Sequence, residues 1–186
     1  DFQGAVSISA ASGDGARIGY MFQNPRLLPW RTVRENIALA LPGDTDPAEV
    51  TRLFEVVGLR DALDVYPERL SLGMSRRAAL VRAFAVNPDL LLLDEPFVSL
   101  DPPTARRVRA LLARLWRERP HTVLFVTHDL GEAIELADRL VFLSAPPARV
   151  LCDIPVALAR EARTEAGIAA FRGTLRADFP SIDFLL

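Results

Sequence analysis

Four consecutive leucines, Leu90, Leu91, Leu92 and Leu93, run directly into Asp94, Glu95 and Pro96. An apolar run this short, set off by Asn87 and Pro88 in front and Pro96 behind, reads as a strand covered on both faces. That is the pattern of a parallel sheet flanked by helices. Its C-terminal tip carries two adjacent carboxylates, and open α/β sheets bind their ligands at the carboxyl ends of their strands. Two more strands are predicted downstream: a second buried one over residues 122–127, ending at His128, and a third over 140–143. Between the first two, residues 104–119 set Val108, Leu111, Leu112 and Leu115 at helical spacing under a face of arginines. Residues 129–138 fit a short helix. Strand–helix–strand–helix–strand implies right-handed crossovers and one parallel sheet.

The front of the chain reads as two strands, 5–9 and 17–22, separated by a turn at Ser12, Gly13, Asp14 and Gly15. A helical insert follows. Residues 32–41 look helical, and Pro42 and Gly43 break them. Asp46 as N-cap, Pro47 at the first helical position and Glu49 at the third open a helix to about Val57, with Gly58 as its C-terminal stop. Ser71 opens another helix that ends before Asn87 and Pro88. The tail after Arg149 is read as a strand over 150–156 and a helix over 158–172.

The 186 residues suit one domain with a proper core. Twenty-two basic residues, every one an arginine, face 24 acidic ones, for a net charge of −2. That balance gives no reason to expect nucleic acid or an anionic membrane surface as partner. The absence of lysine excludes the phosphate-binding pattern G-x-x-x-x-G-K-[ST] from these residues. The lone Cys152 rules out an internal disulfide and fits a reducing compartment. No apolar run approaches the ~20 residues that span a bilayer, and the first residues do not read as a signal peptide.

Several side chains sit where chemistry is done. Asp94 and Glu95 put two adjacent carboxylates at the strand tip, where charge can be positioned for chemistry; an N-cap or turn role is the plainer alternative. Gln23, beyond the second front strand, offers an amide at a strand tip. His128 ends the 122–127 strand, with Asp129 opening the next helix, whereas His121 reads as an exposed loop residue. Ser71 and Gly73 open a helix whose first N–H groups suit an anion, although Ser71 is equally a simple cap. Asp101, before Pro102 and Pro103, is either a site residue or a turn. Leu27, Leu28, Pro29 and Trp30 put an apolar patch in a loop, which calls for a partner or for packing on the insert.

Taken in order, these segments resemble the ATP-binding subunits of ABC transporters over residues 4–143. Gln23 matches the Q-loop glutamine. Leu70, Ser71, Leu72, Gly73 and Met74 match the signature motif, with Leu72 where the family has its first glycine. The strand ending at Asp94 and Glu95 matches Walker B. Ser99, Leu100 and Asp101 match the D-loop, and His128 matches the H-loop histidine. The run from Phe22 to Asn36 is similar to that of nitrate, sulfonate and taurine importers. The resemblance implies an α/β, P-loop-NTPase-like, mostly parallel sheet with a helical insert at about 32–88. Residues 1–149 would form a partial ATPase domain and 150–186 its C-terminal extension. It implies ATP and Mg²⁺ as cofactors, Glu95, His128 and Gln23 as catalytic residues, Ser71, Gly73 and Asp101 as nucleotide contacts, and Asp94 with Gln23 at the metal. It also implies a second ATPase subunit in a homodimer, a permease docked near Leu27, Leu28 and Trp30, and a solute-binding protein reached indirectly. The location implied is the cytoplasmic face of the inner membrane, held peripherally. The phosphate loop is expected before Asp1, and Leu72 is expected to weaken the signature site. The competing reading is a non-catalytic remnant that docks on a permease and binds no ATP alone.

Overall fold

The computed structural model describes residues 5–8, 15–43, 46–98, 100–118, 120–180 and 182. The chain divides into two compact units, Asp1–Val126 and Thr127–Leu186.

In the first unit β1 (Ile18–Met21), β2 (Leu90–Asp94) and β3 (Thr122–Val126) form a parallel sheet in the order β1-β2-β3. The strands finish together, because Met21, Leu93 and Phe125 share one row and Asp94 lies beside Val126. The pleat sends Met21, Leu91 and Leu93 into the core, while Ile18, Tyr20, Leu124 and Val126 on the other face are exposed. This corrects one expectation: β3 is not a buried strand. It is the edge of this sheet, and Leu124 keeps 59% of its surface. An apolar run records that a strand is suited to cover, not whether the cover is present.

The insert begins with α1 (Val33–Ala38). Thr32 caps it and Glu35 reaches back to the Thr32 N–H, a complete capping box. In α2 (Pro47–Val56) Asp46 caps the Ala48 N–H, and Gly58 turns the chain away at φ +65°, both as predicted. Phe54, Val57 and Leu59 are buried, as are Val33 and Ile37. Helix α3 (Leu72–Ala85) packs against β1, α1 and α2. It lies close on β1 at Gly19, where a Cβ would stand 2.2 Å from the Ala83 carbonyl oxygen. Helix α4 (Pro102–Glu118) buries Ala105, Val108, Leu111 and Leu112 as the periodicity requires and leaves Arg106, Arg107 and Arg117 exposed, while Arg109 and Arg114 are half-buried. Residues 5–8, expected to open a strand, are exposed and irregular, and Ser9 and the 12–14 turn lie outside the described residues.

The second unit contains α5 (Leu130–Leu136), β4 (Arg139–Leu143), β5 (Val150–Pro155) and α6 (Glu165–Asp178). Its core gathers Ile134, Leu140, Ile154, Val156, Leu175 and Ile182. Here the sequence reading needs a second correction. Strand β4 does not extend a parallel sheet; it pairs antiparallel with β5. A six-residue link returns the chain at once, closed by the Ser144 N–H bonding to Arg149 O and by the Ser144 hydroxyl, and local closure costs less entropy than a crossover. Helix α6 starts seven residues later than expected. Arg163 explains the delay, for it donates to Leu158 O, Glu135 O and Ala137 O and so holds 158–163 against the end of α5.

Candidate functional site

Strands β1 and β2 end side by side, and their tips carry Gln23 and the pair Asp94–Glu95. Phe22 continues past β1 and stacks on Tyr20, with ring centroids 4.0 Å apart, while the Arg26 guanidinium lies 4.1 Å over the Phe22 ring. Gln23 is exposed on the turn so formed. The turn is fastened from below by Arg82 of α3, which donates to Arg26 O and Pro25 O, both at 2.9 Å.

Asp94 and Glu95 are half-buried. Glu95 has φ +50°, a left-handed conformation that a side-chain-bearing residue adopts only when its surroundings impose it. Its N–H donates to Val126 O at 2.9 Å, which ties the acid turn to the end of β3. Three of the predicted residues, Gln23, Asp94 and Glu95, therefore share one edge of the first unit. Ser71 and Gly73 belong to the same unit at the start of α3, where the Ser71 hydroxyl accepts the Met74 N–H at 3.2 Å as a cap. Leu72 is 54% exposed there, on the surface of the first turn. Asp101 opens α4 by accepting the Thr104 N–H at 3.1 Å. Hydrogen bonding from the Thr104 side chain, first, then from the Thr104 N–H, and more weakly the Arg77 charge hold its carboxyl below the ordinary aspartate range. Ser99 lies outside the described residues. His128 is exposed and belongs to the second unit, whose first helix is capped by Asp129 onto the Glu132 N–H. His121 departs from expectation, being half-buried and edge-on to Phe84 at 6.2 Å.

The loop between Gln23 and α1 has an organiser that sequence reasoning missed. Asn36 is 2% exposed; its Oδ1 accepts the Leu28 N–H at 2.7 Å, and its Nδ2 donates to Leu28 O, Arg31 O and Thr32 O. Leu27 and Leu28 are half-buried over this knot and Trp30 stands 68% exposed above it. Asn36→Leu strands these backbone groups away from a partner, which costs on the order of 2–3 kcal/mol. A lowered midpoint in chemical denaturation is the expected result, and an unchanged midpoint contradicts the assignment.

The oxygen donors at the strand tips, the Asp94 carboxylate and the Gln23 amide, fit magnesium, which takes one or two protein ligands and completes its shell with phosphate and water. Among the described residues no group of three or more His, Cys, Asp and Glu side chains could hold a metal ion by itself.

The parallel sheet flanked by helices, with an amide and two carboxylates at neighbouring strand ends, is of the α/β, P-loop-NTPase-like class. The sequence pattern of the ABC transporter family matches residues 4–98, and the chain belongs to that family. It is 42% identical over 162 residues to the aliphatic sulfonates import ATP-binding protein SsuB of Bacillus licheniformis, covering 85% of this chain and 64% of that protein. It is 42% identical over 180 residues to SsuB 2 of Burkholderia cenocepacia, covering 94% and 66%. With SsuB of Bacillus subtilis it shares 36% over its whole length, covering 74% of that protein. Among solved structures it superposes on a dimeric bacterial ABC transporter cassette with a TM-score of 0.67 and 29% identity, over 76% of this chain and 63% of that one. A dimeric post-hydrolysis cassette bound to ADP and Pi gives a TM-score of 0.65 at the same identity and coverage. The chain thus spans 64–66% of the length of the first two curated relatives.

Proposed function

We propose that this chain is the acid- and glutamine-bearing part of an ATP-hydrolysing subunit that powers import of a small sulfonate-like solute through a membrane ABC transporter. The observation that carries the reading is the shared edge at which Gln23, Asp94 and Glu95 meet, in a chain of this family. Asp94, with help from the Gln23 amide, would hold Mg²⁺, which would supply charge neutralisation on the phosphates. Glu95 takes a proton from the attacking water as its oxygen closes on the γ-phosphorus and the bond to ADP breaks. His128 bonds a γ-phosphate oxygen. Ser71, Gly73 and Asp101 face the nucleotide of a second, identical subunit. The phosphate clamp comes from residues outside these 186, since they hold no lysine. Residues 1–149, with the insert at 32–88, act as the partial cassette, and 150–186 extend it.

Trp30, exposed on a loop that Asn36 keeps in shape, is the docking point for the permease, with Leu27 and Leu28 beside it. The solute-binding protein is reached through that permease. No described helix is long and apolar enough to cross a membrane, so in this reading the subunit attaches through its partner at the cytoplasmic face.

The test is calorimetric titration with Mg·ATP. A longer protein from the same reading frame, carrying a G-x-x-x-x-G-K-[ST] loop, is expected to bind, and the 186-residue chain to bind far more weakly. Failure of the longer protein to bind would leave the docking module without nucleotide as the correct description.

A further inference from the structure

We propose that Arg76 is a positioning residue that holds the Glu95 carboxylate in register with helix α3, so that this helix, and not the sheet alone, sets where the acid stands. The inference rests on the hydrolytic reading for its consequence but not for its geometry. Arg76 is 7% exposed. Its Nη1 makes a close hydrogen bond to Val98 O and lies 3.5 Å from Glu95 O. One nitrogen therefore bridges both ends of the turn that leaves β2. Glu95 is left-handed at φ +50°, with its N–H held by Val126 on one side and its carbonyl by Arg76 on the other.

The arrangement is repeated along the helix. Three of the five left-handed residues described have their carbonyl within reach of a guanidinium of α3: Arg26 (φ +47°) at 2.9 Å from Arg82, Gly58 (φ +65°) at 3.4 Å from Arg77, whose shorter bond is to Val57 O at 2.5 Å, and Glu95 at 3.5 Å from Arg76. The glutamine turn, the corner after α2 and the acid turn are thus fastened to one rigid body. Residues 76 and 82 lie about 9 Å apart along its axis, so the two tips of the site keep a common reference. Guanidinium suits this work because its donors form a fixed fork and stay charged at any working pH. Stability is a poor reason for placing Arg76 here. Its Nε is buried and donates to nothing among the described residues, and a buried cation is expensive to desolvate. An apolar side chain would satisfy the core of α3 but could not grip a carbonyl.

Amide hydrogen exchange on the 186-residue chain, read residue by residue by NMR, tests this without nucleotide. Arg76→Met is expected to speed exchange of the Glu95 amide at least about tenfold while Leu91, Leu93 and the middle of α3 keep their rates. Arg82→Met is expected to leave Glu95 unchanged and loosen 25–28 instead. Arg76→Lys, which keeps the charge but loses the fork, is expected to fall between wild type and Arg76→Met, and it serves alone if Arg76→Met does not fold. An unchanged Glu95 amide in every folded Arg76 variant, or acceleration spread evenly over the first unit, overturns the proposal. In the longer protein the expected signature is a kcat lowered about 10–100-fold with the KM for ATP unchanged. A KM effect alone contradicts it. Absence of turnover in the wild-type longer protein strikes the hydrolytic reading and leaves the exchange result standing.

Discussion

Gly19→Ala is expected to lower the stability of the first unit by about 3 kcal/mol or more, the upper end of what overpacking costs. The added carbon would lie 2.2 Å from the Ala83 carbonyl oxygen and 3.0 Å from Leu91 Cδ1. Leu91 can change rotamer, but the carbonyl is backbone in the last turn of α3, and that end of the helix must lift from β1 to make room. Lifting it strains everything α3 fastens, including the Arg82 grip on Pro25 and Arg26 and the Arg76 grip on the acid turn. A single methyl group at the sheet thus reaches both tips of the site. Thermal unfolding checks it: a midpoint lowered on the order of 10 °C is expected, and an unchanged midpoint would mean that α3 does not pack where it is described.

Much of this was legible in the sequence where a local signal decides the outcome. Asp46, Pro47 and Gly58 punctuate α2 because a cap, a fixed φ and a left-handed stop act over one turn of chain. The β2 strand and its acids were readable because a short run of leucines ending in a pair of charges leaves little else, although only Leu91 and Leu93 are fully buried and Leu90 and Leu92 are half-buried. The Gln23 turn was recognisable as a motif. What holds it was not, since Arg82 meets it only after 56 residues of chain. A signal was nonetheless present: Arg76 and Arg82 sit in a helix of alanine, leucine and valine that is buried on nearly every side, so arginines there had to face protein. Asn36 was hidden because one buried amide inside an amphipathic helix looks like any polar residue until its four backbone partners are seen. The pairing of β4 was misjudged because strand spacing does not say which edge a strand will choose, and β5 was nearer in the chain than any parallel neighbour. Exposure of β3 shows the converse case, an apolar pattern that describes what a strand is suited to rather than what covers it.

The largest chemical effect is expected from Glu95→Gln. The amide keeps the shape of the side chain and the left-handed turn, with the Val126 and Arg76 contacts made by backbone atoms that the substitution does not touch. It removes only the basic oxygen. General-base help from a positioned carboxylate is worth about 10²–10⁴-fold in rate, and Asp94 stands one residue back on β2, where it cannot replace it without unravelling the strand end. Nucleotide binding, which depends on the phosphate clamp and on Asp94, is expected to persist. Single-turnover hydrolysis of ATP by the longer lysine-bearing protein, wild type against Glu95→Gln, therefore bears most directly on whether this sheet edge is a hydrolytic centre. A fall in rate of at least about a hundredfold with ATP still bound is the result predicted. Equal rates in the two proteins would mean that the two carboxylates at the end of β2 are ordinary turn residues and that the chemistry lies elsewhere.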